Sequence, residues 1–287
     1  MPSTIEVGPN ELGFWRTHGY LVLRGVLPHS FVQETVEAIY AFLEMDPSDP
    51  ESWYDWATRA QGHIDSRGMA CMYHHPTLWR NRQYEPVYEA FAKLLGCREL
   101  YVSTDRVNFN PPCTDGWSYE GFLHWDIDTT EAPLPFAVQG IIGLSDGDAE
   151  RSGSFQCVAG FHNEIESWLA EHPSRANPRF PDLPDRLRTE VPPAAGDVLI
   201  FHGALPHGNS PNRGSTPRIA QYITMMPIAE TPPEWRARQL DALGALAPPY
   251  SVQGKRFPED PRGWERQQGF EVALSGLGRQ LLGIVPW

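Results

Sequence analysis

A chain of 287 residues is long enough for one large β-barrel or for two modest domains. Its 23 Lys+Arg against 36 Asp+Glu leave a formal net charge of −13, which repels phosphate backbones and anionic lipid and so argues against nucleic-acid and membrane-surface functions. With 41% hydrophobic and 11% aromatic residues there is material for a packed core, which excludes wholesale disorder.

The 25 glycines and 28 prolines are about 18% of the chain against about 12% in average proteins, a punctuation that favours short strands joined by turns. Residues 11–18 read as a short helix that stops at Gly19, and Tyr20-Leu21-Val22-Leu23 follows as a strand. Ser30 with Gln33 three residues on forms a predicted capping box, ahead of Val32, Val36, Ile39, Tyr40 and Leu43 at helical spacing. From 45 to 84 the period is lost and the chain is crowded with Trp53, Tyr54, Trp56, Tyr73, His74, His75 and Trp79. That stretch is a candidate lid or pocket wall, although such aromatics are more often core. Pro86 opens a helix that Gly96 closes.

Beyond Gly96 the period becomes that of strands, predicted over 101–109, 122–126, 136–144, 154–158, 197–202 and 219–226. A helix over 163–170 interrupts them, and the Pro-rich, mixed-charge stretch 172–193 reads as an insertion loop. Helices predicted over 235–243 and 262–274 make 232–287 a C-terminal helical extension. The whole is expected to be one domain over 1–287, mainly β: a jelly-roll barrel with flanking helices at both ends. Cysteines 71, 97, 113 and 157 form no C-x-x-C pair, and neither a leader pattern at 1–10 nor an apolar run near ~20 residues is visible. A reduced, cytoplasmic protein with no membrane or nucleic-acid partner is the expectation.

The strongest local signal for chemistry is Phe122-Leu123-His124-Trp125-Asp126. In an extended chain residues i and i+2 share a face, so the His124 imidazole and the Asp126 carboxylate can reach one ion. His207, in a Gly- and Pro-rich turn after a strand, is a further ligand candidate. Two histidines and one carboxylate suit ferrous iron because they leave three adjacent positions open. Eleven residues beyond His207 comes Arg218 at a strand entry, a planar cation suited to a carboxylate partner. Gln139 is placed either to touch a co-substrate or to satisfy polar groups of the barrel, and Asn209 and Ser210 lie close enough behind His207 to contact a keto-acid carboxylate. Asp128 reads as a turn residue, His162, His74 and His75 as structural histidines, and Arg67 and Arg106 as solvated arginines unless an acidic substrate engages them.

These pieces together resemble the phytanoyl-CoA dioxygenase family. The similarity runs through 14–27 (Phe14-Trp15-Arg16 to Val26-Leu27), His124-Trp125-Asp126, 152–162 ending in Ala159-Gly160-Phe161-His162, and Pro206-His207-Gly208-Asn209-Ser210-Pro211-Asn212 with Arg218. It covers most of the chain in the family's order, with Ala159-Gly160-Phe161-His162 standing where Pro-Gly-Ser-His is usual. The resemblance implies a double-stranded β-helix and an Fe(II)- and 2-oxoglutarate-dependent oxygenase that uses O2. On it His124, Asp126 and His207 bind iron, with His207 preferred over His202, and Arg218 binds the distal carboxylate of 2-oxoglutarate. It also implies hydroxylation, desaturation or ring formation on a small-molecule substrate such as a natural-product intermediate. Halogenation is disfavoured, because the related halogenases have Gly or Ala in place of the carboxylate that Asp126 supplies. The net charge weighs against a CoA ester. The rival expectations are a zinc-dependent hydrolase on the same ligands and a non-catalytic jelly-roll binding protein.

Overall fold

The structure, a computed structural model, describes residues 5–54, 61–146, 153–173, 177–184, 187–251 and 254–287. Helix α1 (Pro9–His18) ends on Gly19, whose φ of 75° lies in the left-handed region and whose N–H closes on the Trp15 carbonyl at 2.7 Å. Strand β1 (Tyr20–Leu23) follows directly. Helix α2 (His29–Leu43) starts one residue before Ser30. The expected capping box is therefore absent: Pro28, with no side-chain acceptor, occupies the cap position, and Ser30 lies inside the first turn. After β2 (Met69–Ala70), α3 (Pro76–Arg82) and α4 (Glu85–Leu95) form a pair, the latter stopped by Gly96 at φ 61°.

Strands β3 (Leu100–Val102) and β4 (Val107–Asn110) replace the single strand expected over 101–109. The break has a local cause: the Asp105 carboxylate accepts the Arg106 N–H at 2.6 Å, a side-chain bond that competes with a ladder. Strands β5 (Val138–Gly143), β6 (Phe155–Cys157), β7 (Thr189–Val191), β8 (Val198–His202), β9 (His207–Asn209), β10 (Arg218–Ile223) and β11 (Met225–Pro227) complete the β structure. The strand expected over 219–226 is thus two, split at Thr224. The stretch 172–193 is not wholly loop, since it carries β7. Helix α5 (Ile165–Glu171) lies between β6 and β7, and α6 (Pro233–Gly244), α7 (Trp264–Gln268) and α8 (Gly276–Leu281) follow the strands. The helix expected over 262–274 ends early because Gly269, at φ 63°, terminates α7.

Among the described residues three antiparallel sheets result: β1-β8-β5-β10-β4-β2, β7-β6-β9 and β11-β3. Along β8 the side chains alternate between two cores, Val198 and Ile200 on one side, Leu199 and Phe201 on the other. The outer core buries Val138, Ile142, Ile219 and Ile223 beneath side chains of α2, α3 and α4 such as Ile39, Leu78 and Phe91. It also takes in Trp53, Tyr73 and Trp79 of the 45–84 stretch, while Trp56 lies outside the described residues. The inner core lies between the six-stranded sheet and β7-β6-β9, where Ile141, Leu199, Phe201 and Ala220 meet Phe155, Cys157 and Trp125. Helices outside, apolar residues between two sheets and antiparallel pairing throughout make this a jelly-roll double-stranded β-helix. No described helix is long and apolar enough to cross a membrane.

Candidate metal centre

The segment 122–126 does not form the expected strand. Only His124 pairs with β9, its N–H donating to the His207 carbonyl and its carbonyl accepting the His207 N–H, both at 2.9 Å. The ladder stops there because Leu205, which would pair next with Asp126, gives its N–H to the His202 carbonyl at 2.9 Å and its carbonyl to His207 Nδ1. The Trp125 N–H points away from β9 and donates to the Arg179 carbonyl at 2.9 Å. The extended alternation survives: Trp125 is fully buried, its indole N–H donating to the Ala204 carbonyl at 3.0 Å, while His124 and Asp126 meet on the other side.

His207, at the start of β9, brings in the third group. Its Nδ1 lies 3.0 Å from the Leu205 carbonyl. A carbonyl only accepts, so Nδ1 is the donor of this bond and Nε2 is the nitrogen turned to the cluster. His207 Nε2 is 3.5 Å from Asp126 Oδ2, and His124 Nε2 is 3.5 Å from Asp126 Oδ1. One ligand atom from each residue lies within 4.8 Å of the others, the one such group found among the described residues. Burial works to raise the Asp126 carboxyl, but the neighbouring His124 and His207 rings outweigh it and hold the carboxyl well below its usual range. Burial, with His207 beside it, lowers His124. At neutral pH the cluster thus offers an ionised carboxylate and a neutral His124, the protonation that metal ligation requires.

The wall behind the cluster is the inner face of the six-stranded sheet. Gln139 donates to Asp126 Oδ2 at 3.2 Å. Deeper in lie Ile141 beside Tyr222, then Ala220 beside Asn108, and last Arg218 beside Asn110. Gln139 and Arg218 are thus separated by ~20 Å of strand at the usual rise. Arg218 Nη1 donates to Asn108 Oδ1 at 2.7 Å, one step back toward the cluster. Its Nη2 is buried and has no partner among the described residues, as do both amide atoms of Asn110. A buried guanidinium with a vacant N–H calls for an anionic acceptor. Asn209 shares the inner side with His207 and donates to the Tyr222 hydroxyl at 3.1 Å. Ser210, one residue past the strand, falls on the opposite side by alternation and its N–H goes to the Ser154 carbonyl.

His202 points elsewhere, its ring 5.1 Å from that of His162 and 5.3 Å from that of Phe136. Arg67 is engaged by Asp65 at 2.5 Å, Arg106 lies over the Phe257 ring at 4.8 Å, and Asp128 caps a turn by accepting from the Thr130 N–H and hydroxyl. One residue at the cluster went unread in the sequence. Arg179, inside 172–193, donates from Nη2 to Asp126 Oδ1 at 2.7 Å. Its only sequence signal is an Arg-Phe pair in an aperiodic stretch, which carries no spacing to His124 or His207.

Two imidazole nitrogens and one carboxylate oxygen around one point, with an anion-seeking arginine deeper in the same barrel, can hold a divalent ion together with a dicarboxylate. Comparison with known proteins agrees in family and in fold. Residues 15–220 match the family model of phytanoyl-CoA dioxygenase (PhyH). A Dictyostelium discoideum relative that carries this family's name is 23% identical over 268 residues, covering 77% of this chain and 76% of its own. Among solved structures, the hypothetical protein JW0805 of Escherichia coli superposes with a TM-score of 0.73 at 16% identity, over 96% of this chain and 82% of its own. The epimerase SnoN from nogalamycin biosynthesis, solved with Fe3+, α-ketoglutarate and nogalamycin RO, gives 0.55 at 19% identity, over 76% and 82%. The α-ketoglutarate-dependent carbocyclase SnoK gives 0.53 at 20%, over 79% and 87%.

Proposed function

Since this chain belongs to the phytanoyl-CoA dioxygenase family, we propose that it is an iron(II)- and 2-oxoglutarate-dependent oxygenase acting on an unactivated C–H bond of a small organic molecule. The observation that carries the reading is the convergence of His124, Asp126 and His207 within 4.8 Å, on the same barrel face as the vacant N–H of Arg218. In this reading those three residues hold iron, and Arg218 pairs with the far carboxylate of 2-oxoglutarate. When bound, iron and 2-oxoglutarate supply the oxidation, consuming O2 and releasing succinate and CO2.

The chain's own residues position and shield. The Leu205 carbonyl holds His207 Nδ1 and so turns Nε2 toward the cluster, Gln139 and Arg179 orient the Asp126 carboxylate, and the Asn209–Tyr222 pair presents polar atoms midway down the wall. The inner core closes the barrel against water. Ser210, on the other side of β9, takes no part. Aromatic rings stand next to the cluster: Phe122 is 5.2 Å from His124 and 5.7 Å from Phe180, which is 44% exposed. They suit a small or medium apolar substrate, and the natural-product chemistry of SnoN and SnoK supports a role in secondary metabolism. Asp126 fills the position that a halide needs, so hydroxylation, desaturation or ring formation is the proposed outcome. The four cysteines are free thiols, in keeping with the proposed cytoplasmic location.

The test is aerobic incubation with iron(II), 2-oxoglutarate and a metabolite mixture, read by mass spectrometry. Succinate should form together with products one oxygen heavier or two hydrogens lighter. Turnover that needs zinc but neither O2 nor 2-oxoglutarate would assign a hydrolase instead.

A further inference from the structure

Arg179 is 54% exposed along its side chain and lies outside every described strand of the barrel, yet it contacts the Asp126 carboxylate at 2.7 Å, closer than His124 or His207 at 3.5 Å. Exposed arginines commonly contribute little, because ordering a long side chain offsets the Coulomb gain. Here the ordering is already done by the backbone. The Trp125 N–H donates to the Arg179 carbonyl at 2.9 Å, and Arg179 Nε returns a bond to the Trp125 carbonyl at 3.2 Å. The Thr129 hydroxyl donates to the Pro178 carbonyl at 2.6 Å, and the Arg179 N–H donates to Asn177 Oδ1 at 2.8 Å. Residues 177–180 are thus tied to 122–129 on both sides of Asp126, and the guanidinium is delivered to one oxygen of its carboxylate.

Each carboxylate oxygen faces one ligand nitrogen at 3.5 Å, Oδ1 that of His124 and Oδ2 that of His207, and each takes a side-chain donor, Oδ1 the charge-assisted bond from Arg179 and Oδ2 the longer bond from Gln139. We propose that Arg179 is a positioning residue for the metal centre, holding the Asp126 carboxylate through Oδ1 in the orientation that the ion requires. This rests on the reading of His124, Asp126 and His207 as metal ligands. Partners of ligating groups fix ligand orientation, and their loss typically weakens metal binding 10–100-fold.

The experiment is a cobalt(II) titration of the full chain, followed by the visible ligand-field bands of the bound ion, for wild type, Arg179→Met, Arg179→Lys and Asp126→Ala. Arg179→Met keeps the length of the side chain and removes the donors. It should raise the cobalt dissociation constant about 10–100-fold while its melting temperature without metal stays close to wild type. Arg179→Lys, which keeps the charge and one donor but cannot also reach the Trp125 carbonyl, should fall between the two. Arg179→Met binding cobalt as tightly as wild type, or more tightly, overturns the positioning role, since an arginine that merely repels the ion would give the tighter value. If wild type binds no cobalt, or Asp126→Ala binds it as wild type does, the metal centre itself is wrong and the role of Arg179 falls with it.

Discussion

At His207 a single hydrogen bond decides which nitrogen is offered, and at Arg218 a single missing one indicates what is absent. Arg218 is 6% exposed, with one arm on Asn108 and the other without a partner among the described residues. A charge-assisted hydrogen bond contributes about 1.5–3 kcal/mol, which converts to about 10–100-fold in affinity. Arg218→Leu should therefore raise the 2-oxoglutarate concentration for half-maximal turnover by about that factor, while cobalt(II) affinity stays near wild type. An unchanged 2-oxoglutarate requirement would remove Arg218 from the co-substrate site. The three metal-ligand candidates and Arg218 were legible in the sequence because each carries local information: an i, i+2 pair, a histidine after a strand, an arginine at a strand entry. Arg179 was not, because its place beside Asp126 comes from a fold-back across some fifty residues of chain.

At the scale of elements, β9 and the 122–126 segment are pressed together backbone to backbone. A Cβ built on Gly208 would overlap the Phe122 carbonyl oxygen, and one on Gly121 would overlap the Asn209 carbonyl oxygen. Gly208→Ala should separate the two segments, costing about 2–4 kcal/mol as overpacking at a site that cannot yield, and weakening cobalt binding because His124 and His207 are held by that pairing. Wild-type melting and cobalt affinity in this variant would mean that the approach is not needed. The short α7 anchors the C-terminal extension in a different way. Glu265 is 5% exposed and accepts the Tyr73 and His74 N–H groups at 3.1 and 2.6 Å. Burial pushes its carboxyl up from 4.5 to about 7, against those hydrogen bonds and the charge of Arg82. Between pH 4.5 and 7 the folded chain therefore keeps a proton that the unfolded chain has released, so this group lowers stability as pH rises, by up to ~1.4 kcal/mol per pH unit, and levels off above 7. His74, lowered by burial from 6.5 to about 4, acts in the opposite sense over part of that window. The readout is accordingly the difference between wild type and Glu265→Gln in denaturant unfolding from pH 5 to 8. That difference should shift in favour of Gln as pH rises to 7, and a pH-independent difference would show that Glu265 does not titrate there.

For the whole molecule, the architecture was legible where alternation and punctuation agree. Val198 to Phe201 divide cleanly between two cores, Gly19 and Gly96 stop helices in the left-handed conformation, and the strand and helix order follows. It was not legible where side chains compete with ladders, as at Asp105, or where a tight turn takes the next ladder group, as Leu205 does beside the His124–His207 pair. The six-stranded sheet thus separates a helix-covered outer core from an inner one whose wall runs from the His124, Asp126 and His207 cluster down to Arg218. Everything functional depends on that wall receiving iron and 2-oxoglutarate together. The direct measurement is anaerobic addition of iron(II) and 2-oxoglutarate to the protein, watching for the weak visible charge-transfer band of the chelate. The band should form with wild type and disappear in Asp126→Ala and His207→Ala; its persistence in both variants would contradict the site.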